Sequence, residues 1–70
     1  MSMKELRQLI HWHEERHALA RSKYLEEAGL NGSFTPEAKR QRERELFHGG
    51  AAAGLKQLAD AFETLRAMTL

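Results

Sequence analysis

The stretch Leu25-Glu26-Glu27-Ala28-Gly29-Leu30-Asn31-Gly32-Ser33-Phe34-Thr35-Pro36-Glu37 carries a helix stop followed at once by a helix start. Gly29 follows Ala28 as a residue free to take positive φ, with Leu30 placed to fold back on the last turn. Thr35 offers its hydroxyl as an N-cap, Pro36 suits the first helical position, and Glu37 favours the positive end of the helix dipole. The spacing predicts one helix over about 2–28, a turn over 29–35 and a second helix over about 36–68. A link this short between two long helices makes them antiparallel neighbours. The fold class is all-α, a single helical-hairpin domain over residues 1–70.

Composition agrees. Valine is absent, Ile10 is the only isoleucine, and Ala, Leu, Glu, Arg, Lys and Gln dominate, so β-formers are nearly missing. With 70 residues, a core of this size rarely supplies more than ~3–5 kcal/mol, and such chains lean on a staple or a partner. No cysteine is present, which excludes disulfides and Cys-based zinc sites. Met1-Ser2-Met3-Lys4-Glu5 opens directly into an amphipathic pattern with neither signal peptide nor membrane span, so a cytoplasmic protein is expected. Eleven basic against ten acidic residues are too balanced for a dedicated DNA-packaging protein.

At 100° per residue, Met3, Leu6, Leu9, Ile10, His13, His17, Ala20, Tyr24 and Ala28 share one face of the first helix. On the second, Phe47, Ala51, Gly54, Leu55, Leu58, Ala61, Phe62, Leu65 and Met68 form the matching stripe, expected to face the first helix. Its phase runs unshifted through Gly49-Gly50, which predicts one long helix, with room for a bend there, over two short ones. The small run Gly49–Gly54 is expected opposite Trp12 and His13, small residues receiving large ones. Folding about residue 32 leaves the second helix overhanging the first. Phe62, Leu65, Met68 and Leu70 then need a second copy of the chain, and a homodimeric four-helix bundle follows.

His13-Glu14-Glu15-Arg16-His17 matches the H-E-x-x-H spacing that places two zinc-binding histidines on one helix face. Polar Glu15 and Arg16 inside the motif, and a hairpin too small to wall off a cleft, argue against a protease. Glu14-x-x-His17 and Glu45-x-x-His48 fit the di-iron carboxylate spacing, but Glu45 and His48 fall roughly 110° from the second helix's apolar stripe. These five residues are the only metal candidates, and the expectation is no metal and no cofactor. As core-stripe residues, His13 and His17 hydrogen-bond across helices and fix register, and their burial predicts loosening below pH about 6. Ser2, Ser22 and Ser33 lie in no nucleophile context, so no enzyme is expected.

Lys39, Arg40, Arg42 and Arg44 are the nucleic-acid candidates of a regulator that binds RNA or DNA, the alternative reading. Interleaved Glu37, Glu43 and Glu45 make the run read as a solvated face instead. Trp12 and Leu19 point some 100° away from the first helix's stripe, with Glu15, Arg16 and Lys23 around them. Tryptophan and arginine dominate binding hot spots, so these five residues form the candidate protein-docking patch.

Trp12-His13-Glu14-Glu15-Arg16, Phe34-Thr35-Pro36-Glu37-Ala38-Lys39-Arg40 and Phe47-His48-Gly49-Gly50-Ala51-Ala52 together resemble short phage- or prophage-encoded helical-hairpin accessory proteins. The resemblance implies a small inhibitor of a host protein, of the anti-quorum-sensing or anti-CRISPR kind, working in the host cytoplasm. It assigns no binding residue.

Overall fold

The computed structural model describes residues 1–69 as two helices, α1 over Met3–Asn31 and α2 over Pro36–Met68. They pack side by side into a rod 56 Å long and 15 Å across, and no strand occurs among the described residues. No helix there is long and apolar enough to cross a membrane.

Both helix starts are capped by the side chains that precede them. Ser2 Oγ accepts from the Glu5 amide at 3.1 Å, and Thr35 Oγ1 accepts from the Ala38 amide at 3.1 Å, with Pro36 next in line. The first helix stops later than Gly29 suggested. It runs on to Asn31, and the positive φ falls on Gly32, at 90°, whose amide donates to the Ala28 carbonyl. Glu27 makes the extra turn worthwhile. One of its oxygens accepts from the Thr35 hydroxyl at 3.0 Å and the other from Asn31 Nδ2 at 3.2 Å, clamping the second helix's cap to the first helix's end.

The face of α1 turned to its neighbour is the one its pattern indicates, with Leu6, Ile10 and Ala20 buried and Met3, Leu9, His13, His17, Tyr24 and Ala28 half-buried. The face of α2 is not. Ala38, Gln41, Glu45, Ala52 and Ala59 are buried against α1, with Leu55 half-buried beside them. Phe47, Gly54, Leu58, Ala61, Phe62, Leu65 and Met68 are exposed. The expected stripe is therefore turned away by roughly 130° at 100° per residue. The reason lies in size and charge. Helix axes approach closely over alanines, which lets the α1 histidines reach the α2 backbone and lets charged side chains close across the seam. Leu70 of the expected dimer surface lies outside the described residues.

Helix α2 is continuous through Gly49-Gly50. The residue that lies over Gly49 is His17, not Trp12 or His13. A Cβ built at Gly49 would sit 2.8 Å from His17 Nδ1, whereas one at Gly50 or Gly54 meets nothing within 4 Å. His17 Nδ1 lies 2.8 Å from the Glu45 carbonyl oxygen, to which it donates. One histidine thus ties the helices together by using the space that one glycine leaves.

Candidate functional site

The two sides of the hairpin differ chemically. Arg7, Glu14 and Arg21 recur every seven residues on one side of α1 and reach Glu63, Lys56 and Glu45 of α2. Lys56 Nζ is 2.8 Å from Glu14, and Arg7 pairs directly with Glu63. Glu45, only 3% exposed, is held by Arg42 at 2.9 Å and Arg21 at 3.4 Å. This side is laced shut.

The other side carries no such ties among the described residues. Trp12, Arg16, Leu19, Ala20 and Lys23 of α1 and Gln41, Arg44 and His48 of α2 line a groove of about 440 Å³. Four of the five expected docking residues are therefore brought together here. The fifth, Glu15, is not a lining residue; its carboxylate lies 2.9 Å from His11. Of the basic run, only Arg44 joins the groove. Arg40 pairs with Glu37 at 2.6 Å, and Arg42 turns to Glu45 and over the Tyr24 ring. Lys39, Arg40, Arg42 and Arg44 span too much of the helix circumference to form one phosphate-tracking face.

The groove's cations form no ion pair, as Lys4, Lys39 and Arg66 elsewhere among the described residues also form none. Arg7, Arg21, Arg40, Arg42 and Lys56 each meet a carboxylate, while Arg16, Lys23 and Arg44 meet none among the described residues. Arg16 instead lies over the Trp12 ring, 5.3 Å from its centroid. At the rim, Gln41 donates to Glu37 at 2.8 Å, which is the main reason that the Glu37 carboxyl is held below its ordinary range. The same bond fixes the amide's orientation and leaves the buried Gln41 Oε1 without a donor. The groove thus gathers three cations free of ion pairs, two of which, Lys23 and Arg44, help to hold the Glu37 carboxyl down, beside an aromatic wall and the buried Gln41 Oε1.

Below the groove sits an aromatic cluster. His13 and His48 meet Nδ1 to Nδ1 at 2.9 Å, Trp12 stands edge-on to both, and Phe47 closes the far side. Such a contact needs one imidazole as donor and the other as acceptor, so it survives only while at least one ring is neutral. Burial, reinforced by His13, Arg16, His17 and Arg44, holds His48 below its ordinary value of 6.5. The unfolded chain therefore takes up this proton first. The stabilisation is complete above pH 6.5 and is lost as the pH falls through the lower folded value. Thermal melts at about pH 7.5 and about pH 5 should show the lower midpoint at acid pH, and His48→Gln should flatten that dependence. Equal midpoints in the unsubstituted protein would exclude this role.

The metal candidates are otherwise engaged. Glu14 bonds Lys56, Glu45 bonds two arginines, and His17 bonds a carbonyl; no three His, Asp or Glu side chains converge among the described residues. Glu45 is not angularly remote from α1, as its distance from the apolar stripe suggested, but faces it. Its arginines, not its phase, keep it from acting as a ligand. His48 and Gln41 were missed as groove residues because the rotation of α2 places them there, and no signal in their own spacing announces it. No known protein family matches the chain, and no curated protein or solved structure matches it either.

Proposed function

We propose that this chain is a non-enzymatic protein-binding module, an inhibitor or modulator of the kind phage-encoded hairpins exemplify, acting by occluding an acidic surface of its partner. The observation that carries this reading is the meeting of Trp12 and Leu19 with three cations that form no ion pair, on the side of the hairpin where the described residues make no interhelical ion pairs. Exposed arginines beside a tryptophan are the side chains that contribute most when a partner desolvates them. The module works as a homodimer of hairpins. Among the described residues, Leu6 and Ile10 are the only large apolar side chains that are fully buried, which is little for a self-sufficient fold. Two copies also supply the roughly 1,200–2,000 Å² that stable recognition needs.

Trp12 is the only tryptophan, so its fluorescence reports groove occupancy directly. A glutamate-rich peptide should change that signal saturably, with affinity reduced at least tenfold in the Arg16→Ala, Arg44→Ala double variant. Trp12→Ala should abolish capture of the natural partner while preserving helical dichroism and dimer mass. A response to single-stranded oligonucleotide alone, falling steeply with salt, would replace this reading with nucleic-acid binding.

A further inference from the structure

The exposed stripe of α2 has a second property that its exposure makes visible. Phe47, Ala51, Gly54, Leu58, Ala61, Leu65 and Met68 are spaced 4, 3, 4, 3, 4 and 3 residues apart, the alternation of a coiled-coil seam. It runs for roughly 30 Å along the helix at 1.5 Å per residue. Its flanks carry no carboxylate, lysine or arginine, and His48 is the one titratable side chain on them. Leu55 and Phe62 border one edge, and Gly50, Gln57 and Thr64 border the other. The α1-facing side of α2 is different, since it is occupied by Gln41, Glu45 and alanines.

We infer that this seam pairs with the same seam of a second copy, antiparallel, about a two-fold axis that passes between Ala59 and Asp60. The inference rests on the homodimer reading above and specifies its interface. In an antiparallel seam, each layer joins one position of the repeat to the other position in the partner. The register centred there sets Leu58 on the partner's Ala61, Leu65 on the partner's Gly54, and Met68 on the partner's Ala51. Every layer then joins a large side chain to a small one, and by symmetry each pair occurs twice. Sliding the register by one heptad, to Leu58 on the partner's Gly54, sets Ala51 on the partner's Ala61 and Leu65 on the partner's Phe47, a void beside a clash. A two-fold interface requires a surface complementary to itself, and this stripe meets that requirement in one register.

Charge points the same way. At the flanks, Leu55 approaches the partner's Phe62, and Gln57 and Thr64 approach their polar counterparts, so no like charges meet. Phe47, Leu58, Phe62, Leu65 and Met68 are each about half exposed or more. Phe47 lies outside the overlap in this register; covering the other four removes on the order of 100 Å² apiece, roughly 800 Å² over two copies, and Ala51, Gly54 and Ala61 bring the total toward the roughly 1,000 Å² at which a specific interface begins. Pairing along α2 also leaves the groove of Trp12, Arg16 and Arg44 available at the flank of each hairpin.

The absence of cysteine makes the test direct. Leu58→Cys and Ala61→Cys single variants, given distinguishable masses, are refolded together, and the disulfides formed on mild oxidation are identified by mass spectrometry. The antiparallel register predicts that the mixed 58-to-61 disulfide exceeds either symmetrical one severalfold. Symmetrical disulfides in excess would mean a parallel seam and would overturn the inference while leaving the dimer intact. A dimer by sedimentation with no cross-link would overturn the seam and move the interface elsewhere. A folded monomer at high micromolar concentration would remove the homodimer itself. Leu65→Asp, which sets a carboxylate on the partner's Gly54, should shift the sedimentation profile to monomer, whereas Leu25→Asp on α1 should not. If Leu65→Asp retains the dimer, the seam is wrong.

Discussion

An Arg21→Ala, Arg42→Ala double variant is expected to lose about 3–5 kcal/mol of stability, because it leaves a buried carboxylate with no countercharge. Glu45 is 3% exposed and its two oxygens each meet one guanidinium, so neither arginine alone neutralises it fully. The opposite substitution has the opposite outcome. Glu45→Leu frees Arg21 and Arg42, which are more than half exposed, to return to water, and places an apolar side chain of similar volume in the seam. It should be within about 1 kcal/mol of neutral or stabilising. The hydrogen bond from His17 is unaffected, since it ends on the Glu45 backbone carbonyl. Urea melts at one fixed chain concentration measure both. Equal losses from both variants would mean that the ion pairs themselves stabilise the seam and that an unpaired buried charge is not the source of the loss.

Adjacent glycines should respond with opposite signs. Gly50→Ala adds a methyl group to open space and should stabilise α2 by about 0.5–1 kcal/mol, the ordinary helix-propensity gain. Gly49→Ala makes the same gain but drives its Cβ into the His17 ring, 2.8 Å from Nδ1 and 3.0 Å from Cε1. That ring is pinned by its bond to the Glu45 carbonyl, so relief requires either breaking the bond or separating the helices. Overpacking of this kind costs about 1–3 kcal/mol, which leaves a net loss of about 1 kcal/mol or more. In a His17→Ala background the obstruction is gone, and Gly49→Ala should become stabilising, a coupling that a double-mutant cycle in thermal or urea melts reads directly. If Gly49→Ala stabilises the unsubstituted chain, the close contact does not govern this crossing.

The second helix illustrates where reading from the residues succeeds and where it stops. Thr35-Pro36 and the unbroken phase through Gly49-Gly50 locate its start and its continuity, because caps and periodicity are local properties. Its apolar stripe was equally visible, yet the direction in which that stripe points was not. Periodicity shows that a helix has a greasy side without naming the neighbour that covers it. One wall of the groove was legible for a related reason: Trp12, Arg16, Leu19 and Lys23 recur at helical spacing on one helix. The opposite wall, Gln41, Arg44 and His48, depends on how far α2 is rotated about its own axis.

By itself, then, the chain's order of residues determined two helices, their caps, the buried face of α1 and the absence of any β-structure among the described residues, all consequences of interactions within a few turns. Tertiary packing alone decided that α2 meets α1 through alanines, Gln41 and Glu45, and that His17 rests on Gly49. It also decided that the larger apolar side chains face outward. Close approach over small residues allows ion pairs and histidine bonds to form across the seam, and that gain exists only once both helices are in place.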